Sequence, residues 1–158
     1  MRGRGRRVSI LFPFFFFFIL SFSFSFAWNE EYVVIDTAER FFKALQEGQY
    51  STVWSLLTPK SKNIIIKRVY KGLKEEGFEV TKEEVEKDFE EEGDLFLSYW
   101  EGFRREFNPS LVLEKAQWEL KEMNKGRRAI ILLKYKGTVP LKLYFRNGRW
   151  LVGFEESF

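Results

Sequence analysis

The sequence predicts an α+β fold, with N-terminal helices packed on a four-stranded antiparallel sheet. Three observations carry that expectation. Apolar residues recur at helical spacing from Val34 to Phe107. From Leu111 onward they alternate with a period of two. The two regimes follow one another instead of interleaving, which separates helices from a meander of strands.

Ahead of these elements lies a segment of different character. Met1–Arg7 is a positively charged leader, and Val8–Leu20 is almost wholly apolar, centred on the run Phe14–Phe18. Ser25-Phe26-Ala27 then sets small residues three places and one place before a cut ahead of Trp28. This is the plan of a secretory signal peptide over residues 1–27, cleaved between Ala27 and Trp28. An uncleaved anchor is the other reading, because Val8–Trp28 runs 21 residues without a charge, long enough to cross a bilayer as a helix. Pro13 and the alternation of Ser21, Ser23 and Ser25 weigh against a long span. Both readings place residues 28–158 outside the cytoplasm, periplasmic or extracellular, and the membrane is met only through residues 8–28 if that segment is retained.

Residues 28–158 read as a single domain. Val34, Ala38, Phe41 and Leu45 share one helix face, which Gly48 ends. Ser51 is the expected N-cap of a short second helix carrying Val53, Trp54 and Leu57. Thr58-Pro59 opens a third, with Thr as cap and Pro at the first helical position. Thr81-Lys82-Glu83-Glu84 is a capping box. It starts a long helical segment over 81–107 that Gly93-Asp94 kinks or splits, with Asp94 as the expected cap of its second half. Ala116, Trp118 and Leu120 then alternate with polar neighbours, and Arg128–Lys136 is apolar on both faces at its centre, which predicts an interior strand. Pro140 is expected to open the third strand. Asn147-Gly148 is the preferred dipeptide of a type I′ hairpin, returning Trp150–Phe154 as the fourth strand.

Charge and composition exclude several functions. The chain carries 26 Lys+Arg against 23 Asp+Glu, a net of +3. Four of those cations lie in residues 1–27, so residues 28–158 keep 22 basic against 23 acidic side chains, a net of −1. A domain selected for phosphate backbones normally keeps a basic surplus, so no nucleic-acid partner is expected. The absence of Cys excludes disulfides, thiolate metal sites and a cysteine nucleophile. The absence of His removes the usual general base and the commonest transition-metal ligand. Neither a cofactor nor a metal is expected. The acidic run from Lys87 to Asp94 lacks calcium-loop spacing and reads as a solvated helix face. Abundant Glu and Lys with only three Asp is the composition of a chain from a hot environment.

The stretch Ala38-Glu39-Arg40-Phe41-Phe42-Lys43-Ala44-Leu45-Gln46-Glu47-Gly48-Gln49-Tyr50, the segment Trp54-Ser55-Leu56-Leu57-Thr58-Pro59 and the hairpin Arg146-Asn147-Gly148-Arg149-Trp150-Leu151-Val152 together resemble the nuclear-transport-factor-two-like superfamily. The resemblance rests on apolar patterning at both ends of residues 31–155. It implies a strongly curved sheet that forms a cone with the helices. The charged segment 81–107 departs from many members and would cap the cone, close its pocket or act as a docking arm. The superfamily hosts enzymes, binding modules and assembly subunits, so the fold does not choose among activities.

Its enzymes typically set a base beside a Tyr or protonated acid deep in the cone. The base must be desolvated and must share its substrate with a hydrogen-bond donor. Glu114 is the best carboxylate for that role, because it shares the parity of Ala116 and Trp118 on an expected strand, and Tyr99 or Tyr135 is the conceivable donor. An ordinary solvated or paired Glu114 is the simpler reading. Trp54, Tyr70, Trp100 and Trp118 either fill the core or wall a pocket for an apolar or flat ligand. Arg104-Arg105, Lys125-Arg127-Arg128 and Arg146/Arg149 are expected near the hairpin end of the sheet, as ion pairs instead of an anion site.

The expectation is therefore an exported, non-enzymatic binding or assembly module of the cell envelope, with an apolar small molecule or an envelope protein as partner. A carrier, or an isomerase- or cyclase-like enzyme using the cone, is the second reading. A single-pass anchored envelope subunit is the third. A homodimer through the sheet face near Tyr144 and Trp150 is compatible with any of them.

Overall fold

The computed structural model describes residues 14–124 and 127–158, with side chains from Glu30 onward. The charged leader and the start of the apolar stretch lie outside the described residues, as do the side chains of Ala27 and Trp28. Six helices precede four strands: α1 Phe14–Glu47, α2 Tyr50–Leu56, α3 Pro59–Glu75, α4 Lys82–Glu90, α5 Asp94–Phe107 and α6 Pro109–Lys115, then β1 Gln117–Asn124, β2 Arg128–Lys134, β3 Thr138–Arg146 and β4 Arg149–Gly153. The sheet is antiparallel throughout, in the order β1-β2-β3-β4. The helices pack against it, so the α+β class stands. Among the described residues, no helix is long and apolar enough to cross a membrane.

Local sequence signals set most boundaries. The Thr58 hydroxyl accepts the Ser61 N–H at 3.0 Å and Pro59 sits in the first turn, so α3 begins where a free amide would otherwise go unpaired. The capping box of α4 is complete, with Thr81 accepting from the Glu84 amide and Glu84 accepting from the Thr81 amide. Asn147 and Gly148 both take positive φ, +51° and +78°, as a type I′ turn requires.

Elsewhere tertiary structure overrides the local reading. Ser51 is not a cap: α2 starts two residues earlier than that cap implies, at Tyr50 after Gln49, and the Ser51 hydroxyl donates instead to Glu92 at 2.5 Å. Asp94 does not cap α5 either. Gly93 occupies the cap position, and the carboxylate that accepts an amide of the first turn is Asp88, from the end of α4. The period-two pattern from Leu111 hides the helix α6. Pro109 at its first position starts it, directly after Asn108 in the left-handed region, and it packs along α1.

In β1 the register slips between Leu120 and Glu122. The extra residue, Lys121, lets Trp118, Leu120 and Met123 all sit opposite inward-facing residues of β2 (Leu133, Ile131 and Ala129). Pro140 lies two residues inside β3, not at its opening, and pairs with Leu132. It is tolerated there because β4 pairs only with Lys142–Arg146. The Lys142 amide points away from β2, to the Ser157 hydroxyl at 2.9 Å. Pro140 shares its parity, so the missing N–H falls on the uncovered edge and no ladder bond is lost. Leu57-Thr58 runs parallel to β4 and gives it one bond, Thr58 N–H to the Val152 carbonyl at 3.0 Å.

The core lies between the helices and one sheet face. Val34, Phe41, Phe42 and Leu45 of α1 share one buried cluster with Val85, Phe89, Phe96 and Trp100 of α4 and α5 and with Ile131, Leu141, Leu143 and Val152 of the sheet. Each is essentially inaccessible to water, and burial of side chains of this size supplies about 1.5–3 kcal/mol apiece before conformational entropy is subtracted.

Candidate functional site

Three places bear on function: the aromatic interior, an ionic cluster at its rim, and grooves beside the β3–β4 hairpin. The interior holds the candidate ligand-binding residues Trp54, Trp100 and Trp118. Trp54 sits 5.3 Å from Phe89, 6.0 Å from Phe96 and 6.4 Å from Trp100 between ring centroids. Trp100 continues to Phe103 at 5.6 Å, Phe103 to Phe107 at 5.2 Å, and Phe107 to Phe42 at 5.8 Å. Phe42 meets the edge of Trp118 at 5.7 Å, and Phe154 from the C-terminal segment closes on Phe41, Phe103 and Phe107. Most contacts are edge-to-face or offset, the arrangement that aromatic quadrupoles favour. Trp54, Trp100 and Trp118 are thus links in one packed chain of rings. Tyr70 is half-buried on α3 at the edge of the core. The Trp118 indole donates to the Val112 carbonyl at 3.2 Å, whereas the buried Trp100 indole N–H has no acceptor among the described residues.

The catalytic candidates are dispersed. Glu114 is not on a strand: it is exposed on α6, so its expected inward parity with Ala116 and Trp118 does not apply. Tyr135 is exposed in the β2–β3 turn, where the Lys136 ammonium lies 5.4 Å from its ring. Tyr99 is half-buried on α5. Burial, then the Glu155 carboxylate, push its phenol up to about 12, against the opposing pull of the Arg68 guanidinium. No groove described here is lined by two of these three residues.

Beside Tyr99 the sequence had no marker for a second feature. Arg68 of α3 donates two hydrogen bonds to Glu155, at 2.9 and 2.6 Å. The Glu155 side chain is only 7% exposed, and this bidentate pair fastens the segment after β4 to α3.

The basic groups do not gather at one end. Arg104 and Arg105 line a shallow groove with Gln46 and Ser110. Arg128 pairs with Glu122 at 2.7 Å across the β1–β2 hairpin, as an ion pair was expected to do. Lys125 lies outside the described residues. Arg146 and Arg149 flank the β3–β4 turn and meet Lys60 and Lys62 from the start of α3, around a groove of about 400 Å³. A neighbouring groove of about 430 Å³ lies between α1, α2 and the same hairpin, with Glu30, Asp36, Arg40 and Arg149 among its walls. Trp150 is not on the wet face, as had been expected for a dimer contact. It sits opposite Phe145 and is 4% exposed, part of the core. Among the described residues, no group of three or more acidic side chains is placed to hold a metal ion.

Comparison with family models, with curated proteins and with solved structures yields no match to this chain.

Proposed function

We propose that the chain is an exported, non-enzymatic binding or assembly module of the nuclear-transport-factor-two-like type, cleaved before Trp28 and working through its surface. The observation that carries this reading is the ring-against-ring filling of the interior, from Trp54 to Trp118, together with grooves that open outside it around the β3–β4 hairpin. A cone enzyme needs a desolvated base and a donor on one substrate, and Glu114, Tyr99 and Tyr135 stand apart on α6, α5 and a turn. The export half of the reading rests on the Met1–Ala27 pattern.

A native mass spectrum of the protein purified from an export-competent host tests the filled interior. The reading expects a chain that carries no apolar organic molecule, with Glu114→Gln and Tyr99→Phe leaving any binding activity unchanged. An apolar ligand that survives purification, and is lost when Trp100 or Trp118 is replaced by Ala, would move the function into the cone.

A further inference from the structure

The groove between the start of α3 and the β3–β4 hairpin holds an unusual balance of charge. Lys60, Lys62, Arg146 and Arg149 line it, against a single carboxylate, Glu156. That carboxylate is already engaged. It accepts from the Thr58 hydroxyl and lies 3.8 Å from the Lys60 ammonium. Lys62, Arg146 and Arg149 have no acidic partner among the described residues.

Three features of the backbone and the neighbouring rings hold these cations together despite their repulsion. Arg146 and Arg149 are directly opposite each other across β3 and β4, joined by the tight Asn147-Gly148 turn. Like charges in directly opposed positions destabilise a hairpin, so this pair opposes the turn that creates it. Lys62 is half-buried, with its ammonium 5.0 Å from the Trp54 ring, a cation–π contact that favours this position. Burial, and after it the charge of Arg149, lower the Lys62 ammonium from its ordinary value. Arg146 is steadied over the Tyr144 ring at 5.7 Å and by a bond to the Phe145 carbonyl at 2.9 Å. Cations fixed this way are relieved when an anion enters between them.

We propose that this groove is a binding site for a phosphoryl anion, a phosphate monoester or diphosphate group, either free in solution or carried as a lipid headgroup. Two guanidinium forks match the several oxygens of a phosphoryl group, and the two ammonium groups add point charges. A dianion or trianion balances three unpaired cations better than a single carboxylate does. The positive end of the 17-residue helix α3, whose first turn holds Lys60, adds to the same field. The volume, about 400 Å³, leaves room for the organic group that the phosphate is attached to. This inference rests on the reading of the chain as a surface-binding module, and it names the ligand class of one such surface.

The test uses the full chain. Inorganic phosphate and pyrophosphate are titrated calorimetrically, and in a parallel arm sedimentation is measured with phosphatidylcholine vesicles with and without phosphatidic acid. The expected result is saturable binding in at least one arm, weakened about tenfold or more by Arg149→Gln or Arg146→Gln, as loss of a charge-assisted hydrogen bond predicts. Lys43→Gln, an exposed change on α1, leaves it unaltered. Binding of the free anions assigns a soluble ligand, and binding of phosphatidic acid vesicles alone assigns a headgroup. In phosphate-free buffer Arg149→Gln melts at the same or a higher temperature, because the repulsion is gone. No saturable binding in either arm overturns the proposal, as does equal weakening by Lys43→Gln or a lower melting temperature for ligand-free Arg149→Gln. Those failures remove the groove and leave the module reading standing. Turnover of a bound phosphate ester would keep the groove and overturn the non-enzymatic reading.

Discussion

The Asp88 carboxylate, near the end of α4, accepts the Phe96 amide hydrogen at 2.9 Å and so caps the helix that follows it. An N-cap side chain normally comes from the residue at the helix boundary. Here that residue is Gly93, and the oxygen reaches back across the corner from the preceding helix. A Cβ at Gly93 would lie 2.3 Å from an Asp88 oxygen, so glycine at 93 is what admits the carboxylate. Asp88→Ala is expected to destabilise the fold by about 1–2 kcal/mol, the usual loss for a helix cap. Asp94→Ala, which removes a charge from the same turn without removing that bond, should lose less than half as much. Chemical denaturation of the two variants checks the order, and a reversed order would return the cap to Asp94.

At the other end of the chain, Gly153 stands under the Tyr144 ring. A Cβ there would come within 2.6 Å of Tyr144 Cε2 and 3.2 Å of the Lys142 carbonyl oxygen. Gly153→Ala should therefore displace the ring or open the end of β4, with a loss of about 1–3 kcal/mol typical of overpacking. Adding Tyr144→Ala should recover part of that loss in a double-mutant cycle. Strict additivity would show that the ring is not the obstacle.

Tyr99 gives a pH signature. Its phenol titrates at about 12 in the folded chain, against 10.0 for the unperturbed group. The unfolded chain therefore releases this proton first. The contribution of Tyr99 is fully present below the unfolded value and is lost as pH rises through the folded one. Stability should decline across that alkaline window, and Tyr99→Phe should flatten the decline. A spectrophotometric titration should show one tyrosine ionising late, and its loss in Tyr99→Phe assigns it.

Much of the fold was legible because its signals are local. The Thr81–Glu84 box, Thr58-Pro59 and Asn147-Gly148 each fix a boundary with two to four adjacent residues, and the structure uses all three. What escaped reading depends on distant partners. Leu111 and Leu113 alternate like a strand, yet α6 is held by packing on α1 and by a bond between Gln46 and Ser110 at 2.8 Å. That helix carried Glu114 off the expected strand and out of the catalytic argument. The basic groove was hidden for the same reason. Arg146 and Arg149 are visible as a pair in the sequence, but Lys60 and Lys62 join them only because Leu57-Thr58 lies beside β4. The Lys121 bulge left no mark in the alternation that precedes it.

The proposed cut before Trp28 also has a consequence for stability. Among the side chains described, from Glu30 onward, Val34 is the first fully buried one of α1, six positions beyond Trp28. Processed protein should therefore melt within a few degrees of protein that keeps the segment, a shift of about 1 kcal/mol or less by the usual scaling. A large loss on removal would mean that residues before Trp28 belong to the core.

Residues 28–158 are proposed to work as a folded unit outside the cytoplasm. Cell fractionation with intact-mass measurement of the product tests it most directly. The expected product is a chain beginning at Trp28 in the periplasmic or extracellular fraction. A full-length chain recovered from the cytoplasm, with Met1–Ala27 still attached, would contradict it.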